Sequence, residues 1–167
     1  IQFVLNTNGL ADHIGGNEVI REGGSTIVGG NELFDNPGLT IGATVIAHQN
    51  VLDRLAAGSA AGKAYAPQGQ WPTDTEAFDL YNMYFNGEPV QLYHPHAAST
   101  DGQLIILFRR SDVIVAGDVL DMDSYPLIDV ARGGSIDGEL VALNKLVEMA
   151  VPAGKQEGGT LVIPGHG

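Results

Sequence analysis

The chain has 167 residues, 44% of them hydrophobic, which is enough for one globular domain spanning residues 1–167. Its formal net charge is −12 with only 8 Lys and Arg, so a groove that follows nucleic-acid phosphates is excluded. The chain has no cysteine for disulfides or thiolate ligands, and no apolar stretch reaches membrane-spanning length. We therefore expect neither nucleic acid nor a membrane as a partner.

Strand-like and helix-like runs alternate along the chain, as an α/β layered fold requires. A helix-like run at residues 49–55 follows the strand-like run at residues 44–47. The predicted strands are short apolar runs bounded by turn residues, at 1–5, 44–47, 104–108, 113–115 and 160–163.

The stretch from Gly138 to Ala150 has the spacing of an amphipathic helix, which Pro152 and Gly154 then end. Its predicted buried face carries Leu140, Leu143, Val147 and Ala150. The residues predicted to face water are Glu139, Lys145 and Glu148.

A glycine-rich stretch at residues 23–42 is longer than an ordinary link between two elements. It is either a flap over a site or a surface hairpin, and the sequence favours neither. Phe34 in this stretch and Trp71 in a later loop are candidates to wall an apolar substrate pocket. Trp71 is equally well explained as a core residue.

The segment after the first predicted strand places Asp12 next to His13 in a turn of small and polar residues. It resembles the signature loop of the metallo-β-lactamase-fold hydrolases, which reads His-x-His-x-Asp-His and is followed by a Gly-Gly pair. Asn8 and Leu10 stand at the first two His positions, whereas Asp12 and His13 match the pattern.

Further segments resemble the same family in the same order, so the resemblance covers most of the chain. Ala98–Gly102 is similar to the family's Ala-His-Thr-Asp-Gly turn, with Ser99 in place of the His. Two later strands end in Asp118 and His166, as the family's strands do. The resemblance implies a four-layer αβ/βα sandwich with its metals at one edge, and we expect this copy to be incomplete at both ends.

The resemblance also sorts the candidate ligands between the two ions that these hydrolases hold side by side. The positions of the three-imidazole site are Asn8, Leu10 and Ser99, so this site has lost its ligands. The positions of the second site keep a full set, Asp12, His13, Asp118 and His166. The resemblance therefore implies one zinc, or another divalent ion, in the second site.

The implied activity is hydrolysis of an ester, lactone, thioester or amide of a small-molecule substrate through metal-activated water. Asp12 and Asp118 are the candidate catalytic residues. The alternative is a catalytically inactive member that serves a binding or structural role, or an engineered or fragmentary form. The resemblance also favours a periplasmic or secreted location, and the sequence indicates no particular oligomeric state.

Several residues have competing interpretations. Asp12 alone is more typical of a helix cap than of a ligand, and its neighbours in the motif favour the metal. His96 is a candidate substitute ligand for the imidazole lost at Ser99, although an exposed loop histidine is the commoner case. A serine nucleophile at Ser99, with His94 and Asp101 nearby, lacks the Gly-x-Ser-x-Gly elbow.

Overall fold

The computed structural model describes residues 1–25, 42–58, 65–151, 154 and 158–167. The helices in this part of the chain are α1 Ala11–Ile14, α2 Asn17–Glu22, α3 Gln49–Ala57 and α4 Ile136–Met149. The strands are β1 Phe3–Leu5, β2 Thr44–His48, β3 Asp74–Glu76, β4 Leu80–Phe85, β5 Glu88–Tyr93, β6 Ile105–Phe108, β7 Val113–Asp121 and β8 Leu161–His166.

The strands form two sheets. The first sheet has the order β1-β2-β3, and both of its pairings are parallel. The second has the order β4-β5-β6-β7-β8, which is antiparallel except for the parallel pair β7–β8. Because parallel strands end at the same edge of a sheet, the residues that follow β1 and β2 lie at one edge of the first sheet, and β7 and β8 run toward a common end of the second.

Three apolar clusters give the order of the layers. One cluster lies between the two sheets and joins Ile46 of β2 to Leu92 and Ile106 of the second sheet. A second packs α1 and α3 against the first sheet, and a third packs α4 against the second sheet. The resulting order of helix, sheet, sheet, helix confirms the predicted α/β sandwich. In the described part of the chain, no helix has the length and apolar character needed to cross a bilayer.

The five predicted strands are confirmed, with β7 and β8 extending further than the sequence indicated. The β4–β5 hairpin was missed, although its signal is present in the sequence. Asn86 and Gly87 connect the two strands with φ values of 52° and 81°. An Asn-Gly pair in the left-handed region is the typical two-residue hairpin turn, because its twist matches that of the strands.

The predicted buried face of α4 is half right: Leu143 and Ala150 pack against the core cluster as predicted, whereas Leu140 and Val147 do not. The side chains that pack inward are those of Glu139, Ala142 and Leu146, whereas Leu140 is 55% exposed and Val147 is 74% exposed. One residue turns a helix by roughly 100°, so the observed face, centred on Ala142 and Leu146, is rotated from the predicted one by at most about one position and keeps Leu143 and Ala150 at its side. The prediction followed the larger apolar residues, and it placed the carboxylate of Glu139 in water when it is buried.

The glycine-rich stretch lies largely outside the described residues, as does Phe34. The flap and hairpin interpretations of residues 23–42 therefore remain predictions.

Candidate metal centre

The candidate ligands are carried by the ends of elements from both sheets. Asp12 and His13 lie in α1, directly after the loop that follows β1, and Asp118 and His166 lie on the neighbouring strands β7 and β8. A register shift in the β7–β8 pairing falls at Gly117, whose φ is 56°. This irregularity places Asp118 at the floor of an open cleft, which is also lined by Asp12 and His166.

Four short distances connect these side chains. His13 Nε2 lies 2.9 Å from Asp118 Oδ1, and His166 Nε2 lies 2.9 Å from Asp12 Oδ2. His166 Nδ1 lies 3.3 Å from Asp118 Oδ1, and His13 Nε2 lies 3.8 Å from Asp12 Oδ2. The ligand atoms of Asp12, His13 and His166 all lie within 4.8 Å of one another. The fold thus brings the adjacent pair Asp12 and His13 together with Asp118, which is 105 residues from His13 in sequence, and His166, which is 154 residues from Asp12.

The donor set fits one small divalent cation. Two atoms bound to the same zinc at about 2.1 Å lie no more than about 4.2 Å apart, and the distances from Asp12 Oδ2 to His166 Nε2 and to His13 Nε2 meet that limit. Asp118 Oδ1 lies beside this three-residue group, close to His13 Nε2 and to the other nitrogen of His166, Nδ1. Imidazole nitrogens together with carboxylate oxygens suit zinc and several other first-row divalent ions. Asp12 is not the N-cap of α1, which is Leu10, but it lies in the first turn, where its carboxylate accepts from its own backbone amide as well as from His166.

The electrostatic interactions in the cluster favour an ionised Asp12 beside a protonated His166. Partial burial raises the pKa of Asp12, but the hydrogen bond to His166 and the charges of both histidines outweigh it, and the net pKa is lowered. The hydrogen bond to Asp12, assisted by the charge of Asp118, raises the pKa of His166. A bound cation would replace the proton of His166 as the positive partner of these carboxylates.

His13 is oriented by the buried hydroxyl of Thr7, which no sequence pattern indicates. Thr7 Oγ1 lies 2.8 Å from His13 Nδ1. When Nδ1 carries the proton and donates it to Thr7, the lone pair of Nε2 faces the carboxylates. A partner of this kind fixes both the tautomer and the ring orientation of a metal-binding histidine.

Replacing Thr7 by Val is expected to lower zinc affinity by about 10–100-fold, because the shape of the side chain is kept and only its hydrogen bond to His13 is lost. Competition with a chromophoric chelator measures this change. The matched control is Thr75→Val, since Thr75 lies on β3 of the first sheet and its hydroxyl donates to Gln49 at the start of α3. Equal affinities for the Thr7 variant and the wild-type protein would show that Thr7 does not orient a ligand.

Two of the three positions at which the resembling family has an imidazole are buried here and joined by a hydrogen-bond network. Asn8 donates to Asp118 Oδ2 at 2.9 Å, and Ser99 donates to Gln103 Oε1 at 2.7 Å. Asn8 also donates to Gln103 Oε1 at 3.3 Å. Leu10, at the third position, lines the cleft. Gln103 was missed, and the only signal for it was a polar residue directly before an apolar strand.

The remaining candidates lie elsewhere. His96 pairs with Asp79 at 3.1 Å and is not part of the group formed by Asp12, His13 and His166. Trp71 packs against the core cluster beside α3 and donates its indole N–H to the carbonyl of Ala66, as its core interpretation predicted. The serine-nucleophile alternative finds no support, because Ser99 is 1% exposed and its hydroxyl donates to Gln103 instead of an imidazole.

His94 and His48 form a buried stack. Their ring centroids lie 3.7 Å apart, and burial lowers the pKa of both imidazoles, that of His48 to about 4. His48 caps α3 by accepting from the amide of Asn50. His94 is 3% exposed, and its Nδ1 lies 2.9 Å from the carbonyl oxygen of Gln103. Burial therefore favours the neutral form of both rings.

Solved structures with this arrangement of sheets and helices span the whole chain. A metallo-β-lactamase from Pontibacter korlensis matches with a TM-score of 0.60 and 15% identity over 100% of this chain and 62% of its own. The chain has the metallo-β-lactamase fold. BLEG-1, a B3 metallo-β-lactamase, matches with a TM-score of 0.67 and 19% identity over 99% of this chain and 69% of its own.

TTHA1623, solved in a di-iron-bound form, matches with a TM-score of 0.58 and 20% identity over 98% of this chain and 69% of its own. The chain spans about three fifths of the length of the Pontibacter protein. No protein-family model matches the sequence, and no curated protein matches it. At these identities the likeness shows the fold, and the chemistry depends on the side chains of this chain.

Proposed function

We propose that the chain is a metal-dependent hydrolase domain that holds one divalent ion, with zinc the first candidate. The observation that carries the proposal is the convergence of Asp12, His13, Asp118 and His166 at one cleft. The substrate is a small molecule with an ester, lactone, thioester or amide carbonyl. The metallo-β-lactamases and the di-iron protein with the same fold support a metal-dependent hydrolytic chemistry.

The residues of the cluster have different tasks in this proposal. The bound ion would supply a polarised carbonyl and a water of lowered pKa. Asp12 is half exposed and its pKa is lowered, so its carboxylate is ionised at neutral pH. Its Oδ2 faces the two histidines and would be the ligand atom, so Oδ1 is the oxygen left to accept a proton from that water. Asp118 is buried and its Oδ2 accepts from Asn8, which holds its carboxylate in place.

A catalytically inactive binding domain is the second candidate. It is favoured by Asn8, Leu10 and Ser99, which offer no imidazole at the positions where the resembling hydrolases have three. In that case the ion would stabilise the fold or a partner surface without turnover.

Metal analysis followed by turnover assays tests the proposal. Purified protein is expected to contain or take up one zinc, and to hydrolyse at least one of a chromogenic β-lactam, an aryl ester, a lactone and a thioester. Chelation should abolish the activity and zinc should restore it. Asp12→Asn should lower turnover by about 100-fold, within the range of acid–base contributions.

The matched control is Asp53→Asn, because Asp53 lies on α3 and pairs with Gln49 at the surface. This variant should keep full activity. Bound zinc without turnover of any substrate would favour the binding domain. Protein that takes up no divalent ion would contradict both candidates.

A further inference from the structure

A fully bonded amide network lies directly beside the candidate metal centre. Asn8, Ser99 and Gln103 are all buried, with 0%, 1% and 0% of their surface exposed. Unpaired polar groups in such a place are costly, so the direction of each hydrogen bond is fixed by what its neighbours can donate or accept.

The Gln103 amide is anchored by the backbone. Its Nε2 donates to the carbonyls of Leu104 and Ala116 at 3.1 and 3.3 Å. Its Oε1 therefore faces inward, where it accepts from Ser99 Oγ at 2.7 Å and from Asn8 Nδ2 at 3.3 Å. Because two backbone carbonyls hold the amide nitrogen, the Gln103 side chain cannot reverse without losing both bonds.

The orientation of Asn8 follows from that of Gln103. Asn8 Oδ1 accepts from the amide of Leu10 at 2.9 Å, and Nδ2 donates both to Gln103 Oε1 and to Asp118 Oδ2. The side of Asp118 that faces Asn8 is therefore occupied by N–H donors. A cation needs lone pairs, and at this place it would meet hydrogens.

The two oxygens of Asp118 are consequently divided. Oδ2 accepts from Asn8, whereas Oδ1 faces His13 Nε2 and His166 Nδ1. A carboxylate that bridged two ions would need both oxygens free of donors. Here only Oδ1 is directed at the candidate metal centre.

We propose that Asn8, Ser99 and Gln103 form a neutral plug, meaning a group of uncharged side chains that occupies the space beside Asp118 where a second cation would bind. The plug limits the centre to one cation and leaves only Oδ1 of Asp118 available to that cation. This inference rests on the proposed function, since it concerns the same centre. It assigns a positioning role to Asn8 and Gln103, which act on the metal only through Asp118. It also predicts that the plug, and not a shortage of acidic groups, excludes a second ion.

The proposal can be tested by replacing one hydrogen-bond donor of the plug with an acceptor. In Asn8→Asp, an oxygen replaces Nδ2, so it faces Asp118 Oδ2 and Gln103 Oε1 as a third acceptor. Wild-type protein is expected to bind one equivalent of Zn²⁺ or Co²⁺ under a large excess of metal, measured by elemental analysis after desalting and by calorimetry. The Asn8→Asp variant is expected to bind two equivalents and to change the visible absorption of the Co²⁺ form.

The control is Asn82→Asp, an isosteric change at an exposed position that accepts from Gln91, and it should keep one equivalent. Thermal melting checks that each variant is folded, and two equivalents in the wild-type protein would overturn the plug whether or not Asn8→Asp folds. Two equivalents in the wild-type protein, or only one in folded Asn8→Asp, would overturn the plug while leaving the proposed function in place. A wild-type protein that binds no ion would remove both.

Discussion

His13→Ala is expected to lower zinc affinity by at least about 100-fold. Removing a residue that only orients a metal ligand costs about 10–100-fold in affinity, and His13 is itself a proposed ligand. His13 Nε2 lies against both carboxylates of the cluster, at 2.9 Å from Asp118 and 3.8 Å from Asp12. The variant leaves one imidazole, that of His166, which lies on an exposed strand end. Competition with a chelator of known affinity measures the change, and turnover of any accepted substrate should fall with it.

The matched control is His96→Ala, since His96 is an exposed histidine whose partner is Asp79. Its zinc affinity should equal that of the wild-type protein. A loss of affinity in both variants would point to a general effect of removing imidazoles from an acidic chain. An unchanged affinity in His13→Ala would place the ion elsewhere, and the four-residue centre would be wrong.

The sequence contained the ligands but not the groups that orient them. Asp12 and His13 are adjacent in the chain, and Asp118 and His166 each end or interrupt a strand, so their common location followed from strand order and family resemblance. Thr7 and Gln103 carry no such pattern. Their roles depend on hydrogen bonds across 6 and 95 residues of sequence, to His13 and Asn8, which only the folded chain brings together.

The errors in the fold have a similar origin. Hydrophobic periodicity located α4 correctly, but the large residues Leu140 and Val147 misplaced its buried stripe. The sheet instead receives Ala142, whose small side chain lets the helix lie close to β7, where it belongs to the same cluster as Ile114 and Ala116. Local pattern therefore predicted that the helix exists, whereas packing against a particular sheet decided which side is inside.

Glu139→Gln is expected to raise the free energy of unfolding, relative to the wild-type protein at the same pH, by about 3 kcal/mol more at pH 8 than at pH 4. Glu139 is 4% exposed, and within the described part of the chain neither carboxylate oxygen has a hydrogen-bond partner. Burial, with a further contribution from the charge of Asp118, raises the pKa of Glu139 to about 7. The folded protein therefore holds this proton more tightly than the unfolded chain does.

The direction of the pH effect follows from that difference. Below the unfolded pKa of 4.5, Glu139 is protonated in both states and contributes no ionisation penalty to folding. As pH rises from 4.5 to about 7, the unfolded chain ionises first, and the wild-type protein loses stability relative to a variant that does not titrate. Any cost of placing the amide of Gln in the same pocket is equal at all pH values and cancels from the comparison.

Urea denaturation of both proteins at pH 4 and pH 8, with chelator present to keep metal from Asp118, measures the difference. Glu148→Gln on the same helix is the control, because Glu148 is exposed and pairs only with Lys145 among the described contacts. Its stability relative to the wild-type protein should change little with pH. If Glu139→Gln also shows no change between the two pH values, then Glu139 ionises as readily in the folded protein as in the unfolded chain, and the electrostatic link between α4 and Asp118 is absent.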